Sequence, residues 1–212
     1  MNFYDTEKIL ALLQRHGYEP VQTPEEADFI GVNTCSVRQH AEDRALAFLR
    51  SQIPLKKQGK SLCLLGCTAN LYGRDILKKH PYIDIVCGAA NYKHLPELLA
   101  ENKRRVCLTG ESIHPFIDEP VRVGNSISEF VTITKGCENF CSYCVVPFTR
   151  GKLVSKEPDT IYQEILQLAE QGVKEVILLG QNVNEYRSGT TTFTELLEKI
   201  YHIEGIVRLW FL

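Results

Sequence analysis

The sequence predicts an α/β protein. An N-terminal doubly wound parallel-sheet domain is followed by the first part of a partial (β/α) barrel. Two observations carry that prediction. Short apolar runs alternate with amphipathic stretches in two series, one over residues 1–108 and one from about residue 130 onward. Between them lies a stretch bearing Gly110, Pro115, Pro120 and Gly124, which breaks the rhythm.

In the first series, Ile9, Leu10, Leu12 and Leu13 mark the apolar face of a helix that stops at Gly17. Phe29 to Val32 reads as a short buried strand. A helix is expected from Val37 to about Ile53, closed by Pro54. Ser61 to Leu65 follows as a strand, Leu71 to His80 as a helix, and Ile83 to Val86 as a strand. Lys93 to Asn102 completes the helices of this half, and Arg105 to Leu108 its strands. Residues 109–128 read as a linker, giving domains at 1–115 and 123–212. In the second series, Phe130 to Thr134, Glu175 to Leu179 and Val207 to Phe211 are expected strands. Asp159 to Gln171 and Phe193 to Tyr201 are the helices between them. The chain opens directly on a helix and stops at an apolar strand, so a fragment truncated at both ends is expected.

Composition fits a globular protein, with 44% hydrophobic and 24% charged residues. No apolar run approaches the roughly 18 residues that a membrane helix needs. Met1 to Asp5 lacks the basic and apolar regions of a secretory signal, so a cytoplasmic location without membrane partners is expected. The net charge of −2 excludes a globally basic nucleic-acid binder. Local patches remain: Lys56-Lys57 with Lys60, Lys103-Arg104-Arg105, and Arg150 with Lys152 and Lys156. Each of these also reads as a solvated face.

Eight cysteines are many for 212 residues, and three fall within eight positions. In a reducing compartment such clustering points to metal rather than to disulfides. Cys137, Cys141 and Cys144 form C-x3-C-x2-C directly after an expected strand, the end at which α/β barrels place their chemistry. A structural zinc site wants a fourth ligand. None lies near in sequence: Cys107 is the closest cysteine upstream, and no histidine falls between His114 and His202. A 4Fe-4S cluster held by three cysteines instead leaves one iron open for the amino and carboxylate groups of a cofactor.

This spacing resembles the signature of the radical S-adenosylmethionine (SAM) superfamily, and the resemblance goes further. Lys135 to Gly151, KGCENFCSYCVVPFTRG, resembles the cluster motif of the tRNA methylthiotransferases, in their MiaB-like branch. Leu178 to Asn184, LLGQNVN, matches the same branch. Asn33-Thr34-Cys35-Ser36-Val37-Arg38 and Gly66-Cys67 resemble motifs of the family's N-terminal domain, and Met1 to Asp5 resembles the tail of a third. That third motif normally begins Gly-Cys-Gln, which is absent here, as are the rest of the barrel and the C-terminal RNA-binding domain.

The resemblance implies two 4Fe-4S clusters and SAM. Cys137, Cys141 and Cys144 would hold the SAM-binding cluster. Cys35 and Cys67 would supply two of three ligands to an auxiliary one, which delivers sulfur. Taken without the resemblance, two isolated loop cysteines read more readily as structural. Cys63, Cys87 and Cys107 read as buried structural thiols. The activity implied is methylthiolation of N6-dimethylallyladenosine next to the tRNA anticodon. A deoxyadenosyl radical would abstract the hydrogen, and a second SAM would supply the methyl group. Partners implied are tRNA, a sulfur donor, and an electron donor such as flavodoxin or ferredoxin. Alternatives are a threonylcarbamoyladenosine or ribosomal-protein aspartate substrate, or a non-catalytic fragment holding one cluster. Gln181 and Asn182, at the end of a strand on the active side, are candidates to bind SAM. Arg150 and Lys152, just past the cysteines, are candidates for phosphate or substrate.

Overall fold

The fold comes from a computed structural model that describes residues 1–101, 104–110, 112, 115–117 and 126–212. Most of the expected linker, with Pro120 and Gly124, and both domain limits that bracket it fall at or outside these residues.

Helix α1 (Asn2–Arg15) precedes a parallel sheet of β1 (Phe29–Thr34), β2 (Ser61–Gly66), β3 (Ile85–Cys87) and β4 (Val106–Leu108), paired in that order. Between the strands run α2 (Gln39–Ser51), α3 (Ile53–Lys57), α4 (Cys67–Tyr72), α5 (Arg74–Lys79) and α6 (Leu95–Ala100). Alternation along β2 assigns the two faces. Leu62 and Leu64 pack with Ala45, Leu49, Leu55, Ile76 and Leu77. Cys63 and Leu65 pack with Ile9, Leu12, Leu13 and Leu95. The sheet is therefore buried on both faces, which is why its strands read as unbroken apolar runs.

One expected helix is followed at once by a further short one, and another is divided. Pro54 does not close a helix. It sits in the first turn of α3, where its missing N–H leaves no bond unmade. The helix expected over Leu71 to His80 starts earlier and breaks at Gly73, whose φ of 49° and ψ of −130° leave helical geometry.

The second half holds a parallel sheet in the order β11–β8–β5, from β5 (Ser128–Thr132), β8 (Glu175–Leu179) and β11 (Arg208–Phe211). Short strands β6 (Thr134–Lys135) and β7 (Val154–Ser155) flank the cysteine loop and pair antiparallel, with α7 (Val146–Arg150) between them. Helix α8 (Pro158–Glu170) lies against this sheet through Ile161, Ile165 and Leu168. A small hairpin, β9 (Arg187–Ser188) with β10 (Thr191–Thr192), leads into α9 (Phe193–Tyr201). Leu196 and Ile200 of α9 complete the core. Among the described residues no helix is long and apolar enough to cross a membrane.

Candidate cluster site

Thr34 and Gly66 are the last paired residues of β1 and β2, so Cys35 and Cys67 begin the next segments side by side at the carboxyl end of the sheet. Their neighbours touch, with Ser36 Oγ 3.2 Å from Thr68 Oγ1. Gly66 has φ of 93°, and a Cβ there would collide with Asn33 Oδ1 and the Thr34 carbonyl. Only glycine lets β2 turn this tightly into α4 beside β1. The Asn33 amide is itself held by the Asn2 carbonyl, Thr6 Oγ1 and Tyr92 OH. Cys67 is buried and Cys35 half-buried.

All eight cysteines lie among the described residues, and all are free thiols. Cys63 and Cys87 are fully enclosed within their strands. Burial, then the charge of Asp84, pushes the Cys63 thiol well up. Burial, then Cys107, raises that of Cys87 to about 12. Neither turns toward the crest as an ionised ligand, and Cys107, on β4, is half-buried. The crest therefore offers two thiols where a three-thiolate cluster needs another.

The second set sits on the loop after β6. Cys141 is exposed; Cys137 and Cys144 are half-buried. The base of the loop is closed by its backbone. The Cys137 N–H donates to the Gly151 carbonyl at 3.1 Å, and the Cys144 N–H to the Cys141 carbonyl at 2.9 Å. Gly136, with φ of 81°, packs so tightly that a Cβ would strike the Lys152 and Gly151 carbonyls. Gln181 Oε1 accepts from the Gly136 N–H at 2.7 Å, tying the tops of β6 and β8 together, and its Nε2 contacts Met1 Sδ. The Asn182 carbonyl accepts from Thr134 Oγ1 at 3.5 Å. Among the described residues no three of His, Cys, Asp and Glu close round a common point as a metal site. The loop presents three thiols, free of disulfides and on one short turn, without drawing them together. As a donor set, three thiols with no imidazole grouped with them among the described residues fit an iron–sulfur cluster with one open iron.

The basic candidates are largely engaged inside the protein. Arg150 does not present its guanidinium to solvent. Its side chain is 5% exposed, Nη1 donates to Asp5 Oδ2 at 2.7 Å, and Nε lies 3.3 Å from Cys67 Sγ. Its guanidinium is taken up by this buried pairing, which joins the cysteine loop to the N-terminal half. Lys156 is buried against Glu164 at 2.6 Å. Lys56 and Arg104 converge on Asp84 at 2.6 and 3.2 Å, and Lys60 donates to the Glu25 and Ala27 carbonyls. Lys57, Arg105 and Lys152 remain exposed, whereas Lys103 lies outside the described residues.

Sequence reasoning missed the residues between the halves. The buried face of α1 carries Tyr4, Asp5 and Lys8 beside Ile9 and Leu12. Tyr4 OH and Lys8 Nζ both donate to Glu164, while Lys135 Nζ lies 3.6 Å from Asp5 and donates to the Pro115 carbonyl. The available signal was polar side chains at helical spacing on an apolar face, Asp5 and Lys8 on α1 and Glu164 among Ile161, Ile165 and Leu168 on α8. Burial raises the Asp5 carboxyl, but Arg150 and then Lys135 outweigh it and hold the group below its usual range. A groove of about 710 Å³ runs beside β1, lined by the end of α1, residues 18–24 and 26–28, and Phe48. It contains no cysteine.

Residues 1–88 match the family described as "Uncharacterized protein family UPF0004", and residues 131–209 match the Radical SAM superfamily. Relatives named tRNA-2-methylthio-N(6)-dimethylallyladenosine synthase align along the whole chain. That of Thermodesulfovibrio yellowstonii is 43% identical over 216 residues, covering 100% of this chain and 50% of the relative. Those of Koribacter versatilis and Paracidovorax citrulli are 40% and 43% identical, each covering 100% of this chain and 49% of the relative. The chain thus spans about half the length of these relatives. Radical SAM membership brings SAM and 4Fe-4S chemistry with it. With both regions matched in order and relatives of one name aligned throughout, the chain is similar along its whole length to the radical SAM methylthiotransferases.

Proposed function

We propose that this chain carries the SAM-cleaving centre of a tRNA methylthiotransferase acting on N6-dimethylallyladenosine beside the anticodon. Cys137, Cys141 and Cys144 are its SAM-cluster ligands. The observation that carries the reading is the C-x3-C-x2-C loop at the carboxyl end of the second sheet, closed at its base and joined through Arg150 to the Cys67 end of the first. Whole-length similarity to relatives named for this reaction supports the substrate.

Cys137, Cys141 and Cys144 would hold a cluster with one open iron, whose chemistry when bound would be electron transfer to SAM and scission of its C–S bond. The protein's share is positional. Gly136 and Gly151 close the loop, and Gln181 holds the Gly136 amide beside the end of β8, where Gln181 and Asn182 would meet SAM. Cys35 and Cys67 provide two ligands of the auxiliary site. Lys152, exposed next to Gly151, would meet a tRNA phosphate. A sulfur donor, a flavodoxin- or ferredoxin-like electron donor and a cytoplasmic setting complete the reading.

The test is anaerobic reconstitution with iron and sulfide, followed by reduction in the presence of SAM. The expected result is 5′-deoxyadenosine, and tighter binding of tRNA bearing N6-dimethylallyladenosine than of the same tRNA without the prenyl group. With two crest thiols, methylthiolated product is not expected from this chain alone. Absence of SAM cleavage, or equal binding of the two tRNAs, overturns the reading.

A further inference from the structure

Asp5 occupies an unusual place relative to the cysteine loop. Its Oδ2 accepts from Arg150 Nη1 at 2.7 Å, and its Oδ1 lies 3.6 Å from Lys135 Nζ. Lys135 stands immediately before the loop, and Arg150 is the last residue of its short helix α7. One carboxylate on α1 therefore gathers both ends of the segment that carries all three thiols. The same guanidinium reaches Cys67 Sγ at 3.3 Å, so the N-terminal crest is tied to that point too.

We propose that Asp5 is a positioning residue that locks the loop of residues 136–149 shut at its base and fixes it relative to Cys67. The inference rests on the function proposed above for the importance of that loop, but its geometry stands independently. Three features argue for a lock rather than a surface ion pair. Asp5, Lys135 and Arg150 have side chains 3%, 7% and 5% exposed, so solvent does not screen them. The contacts span 130 and 145 residues of sequence, so they hold parts of the chain that no local structure connects. The loop also lacks regular structure between Gly136 and Val145, so its shape depends on its ends. The Cys137–Gly151 backbone bond joins residues close to the two cations in the chain and should open when they separate.

The experiment compares wild type with Asp5→Asn, which keeps size and removes charge. Hydrogen–deuterium exchange is read in the cluster-free chain, and the electron paramagnetic resonance spectrum, with and without SAM, in the reconstituted one. Exchange at the Cys137 amide is expected to rise by roughly a hundredfold or more, because two buried cations lose their counter-charge. Amides of β8 should keep their protection. The SAM-induced change in the spectrum should weaken.

If Asp5→Asn does not fold, the double variant Asp5→Asn/Arg150→Gln removes opposite charges together. It is expected to fold with the loop still loosened. Unchanged exchange at Cys137 overturns the proposal. So does a rise shared equally by β8, which would mean a general loss of stability. A wild type that binds no cluster, with the exchange result as expected, would sink the proposed function and leave the lock standing.

Discussion

Ser36 Oγ lies 3.2 Å from Thr68 Oγ1 because each follows a cysteine that comes directly after one of two neighbouring parallel strands. That contact marks the crest at which Cys35 and Cys67 stand. Cys63 and Cys87 are set deeper, which gives a reactivity pattern. The thiolate is the nucleophile, so a raised pKa and burial both protect. At pH 8, alkylation is expected first at exposed Cys141 and last at Cys63 and Cys87. Peptide mass spectrometry over time checks this; early labelling of Cys63 would contradict its placement in β2.

The same thiol gives a pH dependence. Burial, then Cys107, raises Cys87 from 9.0 to about 12 in the folded chain. Below pH 9 both folded and unfolded forms keep the proton, and the group contributes no slope. Between pH 9 and about 12 the unfolded chain ionises and the folded one does not, so stability falls as pH rises. Urea midpoints at pH 8, 9.5 and 10.5 are expected to decline less steeply in Cys87→Ala than in wild type. Equal slopes would mean that this thiol is not held neutral.

Glu164 is the carboxylate shared by Lys8 and Lys156 at the join between the halves. Glu164→Ala removes it while both ammonium groups stay buried, a change worth about 3–5 kcal/mol. Thr192→Ala deletes the exposed capping box of α9 and is expected to cost about 1 kcal/mol. Urea unfolding of the two variants checks the ranking. A Thr192→Ala loss equal to that of Glu164→Ala would show that the buried network contributes little.

Gly136→Ala places a methyl group against the Lys152 and Gly151 carbonyls in a left-handed conformation. Backbone strain of this kind costs on the order of 1–3 kcal/mol before the clash is counted. Gly172→Ala shares the positive φ but meets nothing within 4 Å. Iron retained after reconstitution is expected to fall sharply in the first variant and to stay at the wild-type level in the second. Equal retention would mean that closure at Gly136 is irrelevant to the loop.

Much of this was legible in the sequence because its signals are local. The apolar runs of β2 and β8, the helix from Phe193 to Tyr201 and the cysteine spacing each lie within one short window. Pro54 misled because the same ring that ends one helix fits the first turn of the next. The Asp5–Arg150 pair was hidden for another reason. Its partners stand 145 residues apart, and each alone looks like an ordinary surface charge. Only a carboxylate and an ammonium on the otherwise apolar face of α1 hinted that this face meets a polar partner.

The central claim is that Cys137, Cys141 and Cys144 together hold the centre that cleaves SAM. Its most direct test is 5′-deoxyadenosine formation by anaerobically reconstituted wild type and by the three single Cys→Ala variants, with Cys107→Ala as control. Cleavage is expected in wild type and in the control, and none in any of the three. Cleavage persisting in all three would contradict it.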